Sequence, residues 1–506
     1  MGDYWQFRAG EPSVVSAVLA RLAASTEQAA ERLAEHTIVE QVTAPVAGPA
    51  PDAGPLLITS SSEFHGSVPC DTIVQRNRTL HVRGNLLGSL TIEPGANVVV
   101  EGSVDGKITN RGGRLLVHNK GLAACVALEG PPEAEAAGIL KVNLTNLAAN
   151  FERLSKRTDA ECAAVVKADA YGCGIGPIAG ALSKSGCNTF FVSDLAQAKR
   201  VRTVAPRAVI YLLGGFYSGT GPAFAEIDAR PVINSAIELA EWDMFVASQA
   251  SSRGWAGGCA LNVDSGAGGL GLSVEEAAAF APRVQSLNHG IALLLSRLEK
   301  PGGTDDPAHE RRLGVFRDLR RLYGGVPASL ATSSGIFAGI KAHFDLVRAG
   351  SALYGVNPTP GAVNPMLPVV ELAARIVQVR EFAPGQTLPA QMPAGKGGAV
   401  AKRRMRVAFV SLGYADGYPR PAAGSAKRLH VMIRGHRCPV LAPPTMELLP
   451  IDVTDLPDRN AARFGALVTL IGDGIGLDEL AGASGMAGRE ILARLGRRFH
   501  RVYYAT

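Results

Sequence analysis

Ala163-Ala164-Val165-Val166-Lys167-Ala168-Asp169-Ala170-Tyr171-Gly172 reads as a short apolar strand ending in a lysine, with a tyrosine and a glycine close behind. A lysine amine at the mouth of an apolar strand loses its proton more easily than one in water, and a neutral amine attacks aldehydes. Taken alone, the same residue also fits a strand end whose lysine snorkels to solvent. Working outward, residues 162–166, 189–193, 208–213 and 260–263 are short apolar runs, and helical patterns such as 194–202 and 273–280 lie between them. That alternation predicts a parallel α/β fold. From about Val370 the chain turns β-rich, with runs at 407–411, 429–433 and 467–471.

Further segments follow the lysine run in order. They are Phe344-Asp345-Leu346-Val347-Arg348-Ala349-Gly350-Ser351-Ala352-Leu353-Tyr354-Gly355, then Gly413-Tyr414-Ala415-Asp416-Gly417-Tyr418-Pro419-Arg420, and near the end Asp452-Val453-Thr454-Asp455 and Arg501-Val502-Tyr503. Together with the lysine run they resemble the motifs of the alanine racemase family, over a stretch from about Gly138 to the C-terminus. The resemblance implies a (β/α)8 barrel of the fold-type III pyridoxal-phosphate enzymes over residues 137–372 and a C-terminal β-domain over 373–506. Lys167 then falls at the C-terminal end of a barrel strand, where catalytic groups of such barrels sit.

Family roles follow residue by residue. Lys167 is expected to carry pyridoxal 5'-phosphate (PLP) as a Schiff base and to act as one catalytic base. Tyr414 is the base on the opposite face, reaching in from the other subunit of a homodimer. Two bases are needed because racemisation removes a proton from one face and returns it on the other. Arg348 would face the cofactor's ring nitrogen, and a guanidinium that keeps its proton leaves that nitrogen unprotonated. Tyr171, Ser333, Gly350 and Ser351 match phosphate-holding positions, where hydroxyls and backbone amides suit a dianion. Met446 matches a residue whose backbone meets the substrate carboxylate.

Departures from the family pattern gather at the same site. Gly269, in Val263-Asp264-Ser265-Gly266-Ala267-Gly268-Gly269-Leu270-Gly271, stands where the family places an arginine that supports the substrate carboxylate and the tyrosine. Arg297 replaces a histidine beside the cofactor, Thr332 an asparagine, Glu447 an aspartate, Cys173 a histidine, and Arg489 a phosphate-binding tyrosine. Arg489 would bind phosphate through a charge-assisted bond, and Arg297 would return the cation missing at Gly269. The expected activity is racemisation of an amino acid, alanine first, supplying D-alanine for peptidoglycan. The alternative is a catalytically degenerate PLP barrel used as a binding or assembly scaffold.

Upstream, an 18-residue repeat begins at Gly66-Ser67-Val68, Gly84-Asn85-Leu86 and Gly102-Ser103-Val104, and its units close on Leu80-His81-Val82, Val98-Val99-Val100 and Leu115-Leu116-Val117. A fixed period with turn glycines and short β-rich runs predicts a parallel β-solenoid over 58–120, resembling the bactofilin-type polymer-forming solenoids. A sheet of three hairpins is the competing arrangement. Before it, residues 1–40 hold an amphipathic helical stripe (Val15, Val18, Leu22, Ala29, Leu33) capped at Ser13, and the proline-rich stretch 41–57 reads as a flexible linker.

With 506 residues, 47% hydrophobic and 19% charged, the composition is that of a globular protein with several domains. A net charge of +6 spread in pairs such as Arg403-Arg404 argues against a nucleic-acid track. Seven scattered cysteines lack metal-site spacing and suggest reduced thiols in a cytoplasmic protein, and no metal site is expected. No run approaches the roughly 18 apolar residues of a membrane span, and the first residues lack a secretory pattern.

Overall fold

The computed structural model describes residues 55–102, 104, 108–117, 127–249, 257–266, 268–285, 290–298, 307–389, 400–420 and 429–505. The expected N-terminal helix, and all but Pro55, Leu56 and Leu57 of the expected linker, lie outside the described residues.

Eight parallel strands wind into a nearly closed barrel: Glu161–Val165, Thr189–Val192, Val209–Leu212, Ala229–Ile233, Cys259–Asn262, Ile291–Leu295, Ala328–Ser329 and Leu346–Ala349. From the first to the seventh each strand pairs with the next in the chain, and the eighth pairs back onto the first through Glu161 opposite Leu346. The seam between the seventh and eighth strands is bridged where Thr332 faces Arg348. Near-continuous apolar sequence suits these strands because inner side chains fill the barrel while outer ones pack on helices. Ala163, Phe191, Val232, Ala260 and Leu293 form the inner core, whereas Ala164, Phe190, Ile210 and Leu261 join the larger core outside. Helix starts follow their sequence signals. Asp194 caps Leu195–Val204, and Ser273 makes a capping box with Glu276 on Val274–Phe280.

The strand Val370–Phe382 leaves the barrel and becomes the spine of the C-terminal β-domain. It pairs with Gly138–Asn143, Met405–Val410 and Leu467–Ile471. The closing strand Phe499–Tyr504 lies parallel to Gly138–Asn143, so the strand before the barrel and the last strand of the chain share one sheet.

The described strands between Leu56 and Val117 form two parallel ladders. In one, Leu56–Ile58, Thr72–Val74, Leu90–Ile92 and Ile108–Asn110 stack in order. In the other, Ser62–His65, Thr79–Arg83, Asn97–Val100 and Arg114–Val117 do the same. The pairs Thr72 with Leu90 and Thr79 with Asn97 step by the 18-residue period, and the parallel sense excludes hairpins. Val74, Leu80, Val82, Leu90, Val98 and Val100 are wholly buried between the ladders. The repeated glycine follows from this stacking: a Cβ on Gly84 would overlap the carbonyl of Gly66, and one on Gly102 would press on Gly84 in turn.

Candidate functional site

Lys167 opens a turn, Lys167–Tyr171, in which Ala168, Asp169, Ala170 and Tyr171 all have φ between 53° and 55°. Left-handed geometry costs an L-residue about 1–2 kcal/mol, so four in a row must be held from outside. Gly172, at φ 76°, ends the run with its N–H on the Ala168 carbonyl at 2.8 Å. A side chain there would overlap the Leu492 carbonyl of the helix Gly488–Ala493. Asp169 Oδ1 accepts the Ile175 N–H at 3.0 Å and Arg200 Nη1 at 2.5 Å. Lys167 is exposed, yet its ammonium is held below the ordinary 10.5. Loss of water around the amine is the main cause, followed by the positive charges of Arg297, Arg348 and Arg489.

Arg348 is buried at the end of Leu346–Ala349. Its Nε donates to Ser329 Oγ at 3.0 Å, and Nη2 donates to the carbonyls of Ser296 and, at 3.3 Å, Leu330. The guanidinium also lies 6.0 Å from the Phe191 ring centroid. Burial and the neighbouring Arg297 lower it to about 10, still protonated at neutral pH. Arg297 follows the sixth barrel strand, and a Cβ added at Gly269 would lie 3.8 Å from its Nη2. The Gly269 loop is wrapped around Asp264, whose carboxylate accepts the N–H groups of Gly266, Gly268 and Gly269 at 3.0, 3.2 and 3.1 Å.

Tyr171, Ser333, Gly350 and Ser351 meet beside the turn. A Cβ on Gly350 would sit 2.7 Å from Tyr171 Oη, so the close approach requires glycine. Ser333 Oγ accepts the N–H groups of Gly350 and Ala352 at 2.9 and 3.2 Å, at the start of the turn Ser351–Tyr354. Burial pushes the Tyr171 hydroxyl up to about 12, against the opposing charge of Arg489, so it remains a proton donor. Hydroxyls, a glycine turn and an arginine around one space match what a phosphate dianion needs.

Tyr414 and Met446 form a second cluster. The Tyr414 N–H donates to the Thr445 carbonyl at 3.0 Å, and the Ala415 N–H to the Met446 carbonyl at 3.0 Å. Both side chains are exposed, at 43% and 58%. Arg420 lies over the Tyr414 ring, 5.7 Å from its centroid. Among the described residues, no hydrogen bond or ring contact joins Tyr414 to Lys167 or Arg348. Beneath the turn, Asp416 is fully buried and accepts the Gly413 N–H at 2.9 Å. Arg498 stands 3.3 Å from Asp416 Oδ1, without hydrogen-bond alignment, and 2.7 Å from Glu447 Oε1.

Sequence reasoning passed over Arg200, Asp416 and Arg498. Their role depends on long-range contacts, and only the position of Asp416 inside the tyrosine motif offered a signal. Cys173 is buried, with its thiol raised to about 12 by loss of water, which makes it inert. No group of His, Cys, Asp and Glu among the described residues is arranged to hold a metal ion, and no described helix is long and apolar enough to cross a membrane.

A parallel barrel with a lysine at a strand mouth, three arginines around it and a β-domain behind defines a class of enzyme scaffold, and the comparisons give its family. Residues 142–358 match the N-terminal domain of alanine racemase, and residues 369–503 match the C-terminal domain. The chain is 44% identical over 366 residues to an alanine racemase of Methylobacterium sp. (strain 4-46), covering 72% of this chain and 97% of that protein. It is 39% identical over 387 residues to one from Rhizobium meliloti (strain 1021), covering 74% and 99%. Among solved structures it resembles an alanine racemase from Bartonella henselae with covalently bound pyridoxal phosphate (TM-score 0.65, 30% identity, 73% of this chain and 99% of that one). The biosynthetic alanine racemase of Pseudomonas aeruginosa is similarly close (TM-score 0.64, 29% identity, 73% and 99%). This chain belongs to the alanine racemase family.

Proposed function

We propose that this chain is a PLP-dependent racemase that interconverts L- and D-alanine and supplies D-alanine for peptidoglycan in the cytoplasm. The observation that carries the reading is the place of Lys167, at the start of the left-handed turn that follows the first barrel strand Glu161–Val165, where loss of water and then the positive charges of Arg297, Arg348 and Arg489 lower its amine from the ordinary value. When bound, PLP supplies an electron sink for the charge left when the α-proton departs. Lys167 Nζ takes or returns that proton on one face, and the Tyr414 hydroxyl serves the other. Exposure of Tyr414 and Met446 on a single chain supports a homodimer in which each subunit lends them to its partner's barrel.

Arg348, protonated and tied to the carbonyls of Ser296 and Leu330, would face the ring of bound PLP and leave its nitrogen without a proton. Tyr171, Ser333, Gly350, Ser351 and Arg489 hold the phosphate. Arg297 takes the part of the cation absent at Gly269 and meets the substrate carboxylate beside the Met446 backbone. Loss of such a clamp costs on the order of 2–4 kcal/mol, by analogy with an oxyanion donor. The second reading, a scaffold without turnover, rests on the substitutions around the site. The nearness of Arg297 to Gly269 counts against it.

Residues 58–120 are read as a parallel β-solenoid of the bactofilin type that brings copies of the enzyme together. The two ladders and their 18-residue register support that reading. The domain plan continues with the barrel at 137–372 and the β-domain at 373–506. As a test, borohydride treatment of the protein mixed with PLP is expected to fix the cofactor on the peptide containing Lys167, with none fixed in Lys167→Ala. Labelling spread over other lysines would refute the assignment.

A further inference from the structure

The parallel ladders are joined to the racemase-like region by sheet. Arg114–Val117, the last strand of one ladder, pairs antiparallel with Ala127–Glu129, which pairs antiparallel with Phe499–Tyr504. Glu129 ends that connecting strand and lies upstream of the family match, which begins at residue 142. Its side chain is mostly buried, 14% exposed. Oε1 stands 3.9 Å from Arg114 Nε and 3.6 Å from Arg200 Nη2, and Oε2 accepts the Tyr503 hydroxyl at 3.1 Å.

Arg200 then reaches past Glu129 to Asp169 Oδ1 at 2.5 Å. Asp169 is two residues beyond Lys167, in the middle of the left-handed run. The carboxylate also presses on the far end of the turn: a Cβ on Gly174 would overlap the Tyr503 hydroxyl and come within 2.9 Å of Glu129 Oε2. A strained backbone keeps its shape only when its surroundings hold it at several points. Here one such point is a guanidinium shared between Asp169 and Glu129, and Glu129 fixes the direction from which Arg200 pulls.

We infer that Glu129 is a positioning residue for the Lys167 turn, acting through Arg200 and Asp169. The segment preceding the family domain thereby helps set the geometry of the lysine. The inference rests on the proposed role of Lys167 for its consequence in catalysis, but the tie itself is measurable without cofactor.

The test is hydrogen–deuterium exchange by mass spectrometry on the full chain without added PLP, following peptides across 166–175. Glu129→Gln is expected to speed exchange there about fivefold, as loss of a partly buried ion pair would, with the strand Val209–Leu212 unchanged. Glu129→Asp, which keeps the charge and draws it back by one methylene, is expected to fall between. In the enzyme supplied with PLP, Glu129→Gln should lower kcat while KM for alanine stays within about twofold. Unchanged exchange over 166–175, or an equal rise in Val209–Leu212, overturns the inference whatever the activity. A local rise with kcat unmoved upholds the tie and instead counts against Lys167 as the reacting amine.

Discussion

Arg297 and Gly269 face one another: a side-chain carbon added at Gly269 would lie 3.8 Å from the Arg297 Nη2. A guanidinium from the end of the neighbouring barrel strand thus stands beside the loop on which the family pattern places a cation, and its proposed role as the replacement is open to test. Arg297→Ala is expected to lower kcat/KM for alanine about 100- to 1000-fold, the size of losing one preorganised donor. Steady-state kinetics of Arg297→Ala beside Arg297→Ala/Gly269→Arg checks this, with the second substitution recovering at least part of the loss. Activity of Arg297→Ala within twofold of the parent would show that the clamp is elsewhere.

Lys167 gives a sign for pH dependence. Its folded-state value lies below 10.5, so between that value and 10.5 folding expels a proton that the unfolded chain still carries. Below the depressed value both states are charged and the folded state bears the full cost of a cation among three arginines. Between that value and 10.5 the cost is relieved as pH rises. Lys167→Met should therefore raise the thermal midpoint of the cofactor-free protein at neutral pH, and the gain should shrink above pH 10. A midpoint that falls on substitution would contradict the electrostatic account.

Gly350 and Tyr171 make a paired prediction. A Cβ on Gly350 would stand 2.7 Å from the Tyr171 hydroxyl, so Gly350→Ala should weaken PLP binding about tenfold or more. In Gly350→Ala/Tyr171→Phe the hydroxyl is gone and the added methyl has room. Equilibrium dialysis with PLP should then find the double variant no weaker than Tyr171→Phe alone.

Arg498 is expected to act on the tyrosine turn through buried Asp416. Loss of water already raises the Asp416 carboxyl above its ordinary value, and Arg498 opposes that rise. Arg498→Gln should raise it further and weaken the hold on Gly413 and Tyr414. The predicted result is a lower kcat with KM little changed, and a thermal midpoint that falls more than the parent's as pH rises from the ordinary carboxylate range through the raised Asp416 value, because the folded state favours the protonated acid. An unchanged kcat would remove Arg498 from the positioning of Tyr414.

The sequence made much of this fold legible because periodicity and local chemistry agree. The apolar runs at 189–193 and 467–471 coincide with strands Thr189–Val192 and Leu467–Ile471, and Asp194 and Ser273 mark true helix starts. The glycine period anticipated the 18-residue register because the backbone carbonyl of the glycine 18 residues earlier occupies the place of a Cβ at Gly84 and at Gly102. Two things could not be read. The left-handed turn after Lys167 uses Ala168, Asp169, Ala170 and Tyr171, and a single aspartate does not announce four consecutive residues at positive φ. Likewise, the link from Arg114 through Glu129 and Arg200 to Asp169 joins residues far apart in sequence, and no pattern of spacing predicts such a contact.

The most direct test of the central claim is α-proton exchange in deuterated water, followed by NMR on the PLP-supplied protein with a panel of L-amino acids. The account predicts that L-alanine loses its α-proton signal while deuterated D-alanine accumulates, and that Lys167→Ala does neither. Protein shown to carry PLP that exchanges no amino acid's α-proton would contradict racemase activity and leave the barrel a scaffold.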